Sequence, residues 1–135
     1  MKTFSGVYNG PEDLKGFKGI IYYPYAFSNL AVFENFQRGL VHFVPSEKFI
    51  RSEWSKRNPA HCCVRGNFKE CEWYQDQYKE VIVYYDSWED LKQKVDSLDY
   101  ESLCKKVRAL GLNHRETQLR KWGEVFDEVV EFLNK

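Results

Sequence analysis

The chemistry this sequence could perform is concentrated in one stretch, Tyr22-Tyr23-Pro24-Tyr25-Ala26-Phe27-Ser28-Asn29-Leu30-Ala31-Val32-Phe33-Glu34-Asn35. A β-prone run ends at Pro24, a short polar loop follows, and helical spacing begins at Ser28 or Asn29. The first amides of a helix, here those of Ser28, Asn29 and Leu30, have no partner within the helix and sit at its positive end, an arrangement that suits a phosphate. Glu34 lies about one and a half turns further on. An ionised carboxylate accepts several hydrogen bonds and so can hold both hydroxyls of a ribose diol. That role requires Glu34 to be partly buried at the inner side of its helix. Each feature also has a plain alternative: Glu34 as a solvated helix residue, Ser28 and Asn29 as ordinary helix caps, and Tyr22, Tyr23 and Tyr25 as core packing.

The flanking pattern describes the elements that would position these residues. Residues 4–8 read as a short strand, Asn9-Gly10-Pro11 as a turn, and Pro11-Glu12-Asp13-Leu14 as a short helical turn with Pro first and acids near its positive end. Gly19-Ile20-Ile21-Tyr22-Tyr23 predicts a strand buried on both faces, as in parallel sheets. A helix from Ser28 or Asn29 to a stop at Gly39 leads to a second strand at Leu40-Val41-His42-Phe43-Val44, and a short helix runs from Glu47 to Trp54. Residues 55–79 break the rhythm and read as a loop or insertion. Val81-Ile82-Val83-Tyr84-Tyr85 is a third strand. Ser87-Trp88-Glu89-Asp90 has the form of a capping box and opens a helix to Leu98. The remainder is helical, with a stop or bend at Gly111 and an apolar stripe of Leu119, Trp122, Phe126, Val129 and Leu133. Alternating strands and helices predict an α/β fold, with a small parallel sheet of three to four strands flanked by helices. Ligands of such sheets bind beyond the carboxyl ends of the strands, where the 22–35 stretch would lie.

Composition narrows the function classes. The chain has 135 residues, enough for one domain that buries roughly two thirds of its unfolded surface. Hydrophobic residues make up 43%, which excludes a disordered chain. Twenty cations balance twenty acids, so the cation surplus of a nucleic-acid binder is absent; Lys105, Lys106 and Arg108 read as a solvated helix face. No run approaches the roughly 18 apolar residues of a membrane span, and Met1 to Gly6 lacks a signal-peptide core. The expected location is the cytoplasm, with Cys62, Cys63, Cys71 and Cys104 reduced. His61, Cys62, Cys63 and Cys71 have poor spacing for zinc, so no metal is expected. His42, in mid-strand, is a poor catalytic candidate.

The segment from Pro24 to Asn35, followed by Gly39-Leu40-Val41 and Pro45-Ser46, resembles the donor-site strand–loop–helix–strand of GT-B glycosyltransferases of the glycogen-synthase-like group. It is also similar to uncharacterised glycosyltransferases of giant DNA viruses and some protists. The likeness covers residues of about 4–50. It implies a transferase domain that binds a nucleotide-diphosphate sugar, a Rossmann-like half of the C-terminal GT-B domain spanning 1–135 as a single, partial unit. By that resemblance Glu34 holds the ribose, while Tyr25, Ala26, Phe27, Ser28, Asn29 and Leu30 surround the sugar, base and diphosphate. It implies no bound metal or other cofactor, since helix end and cationic side chains stabilise the leaving diphosphate. No catalytic residue is assigned; a base would come from an N-terminal acceptor domain or another subunit.

Two features point to a different class. The family's first carboxylate of the donor pair falls at Ala26, which has none. The terminal stripe is core or docking surface, and Trp122 and Phe126 would mark an exposed apolar patch if it lacks a partner. The alternative is therefore a non-catalytic α/β protein-interaction module on the same fold, forming a homo-oligomer or a hetero-complex. A receiver-like domain is a weaker third option, because of the clustered acids it needs at the strand ends only Asp86 is present.

Overall fold

The computed structural model describes residues 3–24, 29–54 and 68–134. Three parallel strands form one sheet in sequential order, β1 (Gly19–Ile21), β2 (Val41–Pro45) and β3 (Ile82–Tyr85), with Ile20 opposite His42 and Phe43 opposite Val83. The helices are α1 (Leu30–Gln37), α2 (Glu47–Phe49, continuing in a wider π-helical winding over Ile50–Trp54), α3 (Trp88–Ser97) and α4 (Tyr100–Leu133). The fold is of the expected α/β class, Rossmann-like, with helices flanking a small parallel sheet. Among the described residues, no helix is long and apolar enough to cross a membrane.

The central strand β2 is buried along its whole length, and its alternation divides the core. Val44 faces a cluster with Val32 and Phe36 of α1, Ile50, and Phe68, Cys71, Trp73 and Tyr78. Val41 and Phe43 face the other side, against Phe49, Tyr85 and Leu91, with Val95 and Tyr100 around them. β1 departs from the expected two-sided burial. Among the described residues it pairs with β2 alone, and Ile21 is 49% exposed, so it is an edge strand. Residues 4–8 are not a strand; they form an irregular, exposed segment with a bend at Gly6, from which the Tyr8 hydroxyl donates to Asn35 Oδ1 on α1 at 3.3 Å.

Local rules set the helix ends. Asn29 caps α1 by accepting from the Ala31 amide at 2.9 Å. At the other end Gly39 takes a φ of +75°, its amide donates to Phe36 O and that of Leu40 to Asn35 O, a Schellman stop that only glycine enters freely. Ser87 caps α3 by accepting from the Asp90 amide at 3.0 Å, and Asp99 caps α4 through the Ser102 amide at 3.1 Å.

Two expectations about the second half are corrected. Within residues 55–79, the stretch from 68 onward is not a peripheral loop. Three short 3-10 turns (Phe68–Glu70, Glu72–Tyr74 and Asp76–Tyr78) bring Phe68, Cys71, Trp73 and Tyr78 into the core. Gly111 is neither a stop nor a bend. α4 runs unbroken for 34 residues, and Gly111 is where it crosses α1: a Cβ there would lie 2.5 Å from Phe36 C and from Gln37 N. Glycine at this point lets the two helices approach closely. Next to the crossing, the His114 ring stacks on Phe33 with centroids 4.2 Å apart.

Candidate functional site

The carboxyl edge of a parallel sheet is where this fold class holds ligands. Of the sequence-derived candidates, Tyr25, Ala26, Phe27 and Ser28 lie outside the described residues, as do His61, Cys62 and Cys63. Asn29, Leu30 and Glu34 are placed.

Asn29 links the segment leaving β1 to the opening of α1 through a polar cluster. Its side chain caps α1 through Oδ1 and donates from Nδ2 to the Tyr22 hydroxyl at 2.8 Å. Its own amide donates to Glu72 Oε2 at 3.2 Å. Trp73, fully buried, packs its ring 4.5 Å from that of Tyr22. The opening of α1 therefore already holds an anion supplied by the chain itself: the Glu72 carboxylate stands where a phosphate would be drawn by the helix end.

Glu34 does not meet the geometric requirement of the ribose role. It is exposed, not at the inner side of α1. It lies on the flank near Tyr8, whose hydroxyl is pushed up by its own desolvation and then by the Glu34 charge. The reason is the helical period. Val32, Asn35 and Phe36 occupy the buried face of α1, and position 34 points away from all three. Leu30 is likewise turned outward, 79% exposed.

The exits of β2 and β3 are also internally satisfied. Ser46 Oγ donates to Asp86 Oδ1 at 2.5 Å and accepts from the Phe49 amide at 3.1 Å. Lys94 Nζ reaches both Asp90 Oδ2 at 2.8 Å and Tyr84 O at 2.7 Å. The hydrogen bond from Lys94, then that from the Asp86 amide, holds the Asp90 carboxyl below its usual range. Tyr74 donates to Pro45 O at 2.7 Å and Tyr84 donates to Trp73 O, which ties the 72–74 turn across this edge. Burial pushes the Tyr84 hydroxyl up to about 12, so it stays a neutral donor. Glu72, Trp73 and Tyr74 were missed from the sequence. The available signal was the aromatic density of Phe68, Trp73, Tyr74 and Tyr78, which is unusual for a loop.

Surface depressions among the described residues lie at the start of α4 and beside Tyr74. One of about 410 Å³ is lined by Asp99, Glu101, Ser102, Lys105 and Lys106 at the start of α4, and one of about 180 Å³ by Lys69, Tyr74, Gln75 and Asp76. Among the described residues no three His, Cys, Asp or Glu side chains group as metal ligands do. His42 is enclosed: its Nδ1 lies 3.0 Å from Leu40 O, Phe36 packs edge-on at 5.2 Å, and desolvation lowers its pKa to about 4.

The second candidate surface is α4 itself. Its first half packs against α1 and β2, with Val107 and Gly111 buried. From residue 119 onward all described side chains are exposed, and one broad face carries Leu119, Trp122, Val125, Phe126, Val129, Val130, Phe132 and Leu133, each between 46% and 77% exposed. Trp122 and Phe126 lie side by side with centroids 6.1 Å apart. At about 1.5 Å per residue, a helix of 34 residues is roughly 51 Å long, so this half extends well beyond the eight-residue helix α1 that supports its first half.

Compared with family models, with curated proteins and with solved structures, the chain matches none.

Proposed function

We propose that this chain is a non-catalytic α/β protein-interaction module, in which a small parallel sheet anchors a long helix and the distal half of that helix is the docking face. The observation that carries the reading is the placement of eight large apolar side chains between residues 119 and 133 on the unpacked half of one helix. A folded chain rarely leaves that much contiguous apolar surface in water unless something binds it. The sheet unit supports the reading from the other side. Among the described residues, Glu72, Tyr74 and Lys94 hydrogen-bond to backbone groups along its carboxyl edge.

A second reading, the donor domain of a GT-B glycosyltransferase, keeps one supporting observation: β1 feeds the capped opening of α1 at the carboxyl edge of a parallel sheet. Calorimetric titration of the full chain with UDP and with GDP separates the two. The interaction module gives no heat of binding and no shift in unfolding temperature with either nucleotide. Saturable binding that is weakened in Glu34→Ala and Asn29→Ala would transfer the assignment to the donor domain.

A further inference from the structure

Resting on the docking-module reading, we infer that the occupant of the distal face of α4 is a second copy of this chain, paired antiparallel through the same face. Three observations converge on it.

The first is the period of the face. Leu112, Leu119, Phe126 and Leu133 recur every seven residues, with Trp122 and Val129 at the intermediate positions. That spacing keeps one seam turned toward a partner helix in a left-handed coiled coil, where a straight helix packed on a sheet needs no such register. Leu112 is itself 38% exposed beside the crossing with α1, and from Leu119 onward the seam is uncovered.

The second is the charge order along the same half. Residues 115–121 carry three cations, Arg115, Arg120 and Lys121, and one acid, Glu116; residues 124–131 carry four acids and no cation. A parallel pair would set four acids beside four acids. An antiparallel pair with its two-fold axis level with Glu124 sets the cationic stretch of each copy beside the acidic stretch of the other. The same axis brings Leu119 beside Val129 and Trp122 beside Phe126, so that the two seam positions alternate across the pair. A surface complementary to itself under a two-fold rotation is what an isologous dimer requires. The antiparallel arrangement also sends the two sheet units to opposite ends, whereas a parallel one brings them side by side.

The third is area. Eight apolar side chains that are 46% to 77% uncovered expose on the order of 100 Å² each, or roughly 800 Å² per copy, the amount a stable interface takes from each partner.

Sedimentation equilibrium of the full chain, run over a range of concentrations at low and high salt, tests this. The expected result is a reversible dimer of the 16.1 kDa chain whose dissociation constant rises about tenfold at high salt, because opposite charges attract across the pair. Trp122→Glu with Phe126→Glu should abolish it. Both positions are exposed and outside the core, so unchanged far-UV circular dichroism confirms that the variant folds. A second variant keeps the test independent of apolar loss. Reversing only the cations (Arg115→Glu, Arg120→Glu, Lys121→Glu) should weaken the dimer, and adding Glu124→Lys, Asp127→Lys, Glu128→Lys and Glu131→Lys to them should restore it. A chain that stays monomeric at high concentration, or a dimer that tightens with salt or survives Trp122→Glu with Phe126→Glu, overturns self-pairing. A monomer that also ignores UDP and GDP overturns the pairing alone. A monomer that binds either nucleotide through Glu34 overturns the docking-module reading beneath it.

Discussion

Replacing Gly111 by alanine sets two effects of known sign against each other. In a free helix the change is favourable by about 1 kcal/mol, because alanine is the better helix former. Here the new methyl carbon would stand 2.5 Å from Phe36 C and from Gln37 N, and 2.8 Å from Phe36 Cβ. Carbon atoms pack at about 3.5–4.0 Å, so α1 and α4 must separate by about 1 Å. The two atoms struck first are backbone and cannot rotate away. Forcing a methyl into a packed contact costs about 1–3 kcal/mol, and the separation also loosens the Phe33–His114 stack. The net expectation is destabilisation by up to about 2 kcal/mol. Gly123 in the same helix is the control: nothing lies within 4 Å of the Cβ it lacks, so Gly123→Ala should be neutral or stabilising by up to about 1 kcal/mol. Urea denaturation of both variants, followed by circular dichroism at low chain concentration, reads the difference. If Gly111→Ala proves as stable as Gly123→Ala, the close crossing of α1 and α4 is wrong.

Three further outcomes are expected. The folded-state pKa of His42 is lowered from 6.5 to about 4 by desolvation, so the unfolded chain binds the extra proton between those values. Its stabilising contribution is complete above pH 6.5 and is lost as pH falls toward 4, by about 3 kcal/mol in all; His42→Leu should remove that part of the pH dependence in denaturation curves measured between pH 7 and 4.5. Asn29→Ala removes the cap of α1 and the bond to Tyr22, and should lower unfolding free energy by about 1–2 kcal/mol in the same assay. Glu72→Gln should cost less than about 1 kcal/mol, since it weakens a single part-exposed contact to a helix end; a loss several times larger would show that Glu72 holds more than the Asn29 amide.

The elements with strong local signals were readable from residues alone. The β-branched and aromatic runs gave β2 and β3, the polar pair Ser28-Asn29 and Ser87 gave the openings of α1 and α3, and Gly39 gave a stop. What escaped depends on tertiary contacts. An edge strand and a central strand share the same apolar run, and only pairing showed that β1 lies at the edge with Ile21 half exposed. Gly111 reads as a breaker by propensity, yet its small size serves a helix crossing. The turns after residue 68 lack periodicity, and their aromatic side chains reach the core from irregular backbone. At the candidate site, residue type narrowed the cap to Ser28 or Asn29, and the structure places it on Asn29. The orientation of Glu34 followed from which face of α1 buries Val32 and Phe36, and the Glu72 carboxylate came from 43 residues away. The apolar stripe from Leu119 to Leu133 was visible as a stripe, but only the structure showed that all of it lies uncovered, beyond the part of α4 that packs on α1.

Amide hydrogen exchange over residues 119–133 reaches the central claim most directly. A docking helix that pairs with its own copy gives amides that exchange slowly at high chain concentration and speed up on dilution, while those of β2 stay protected throughout. Distal amides that exchange at one concentration-independent rate, whether fast or slow, would contradict it.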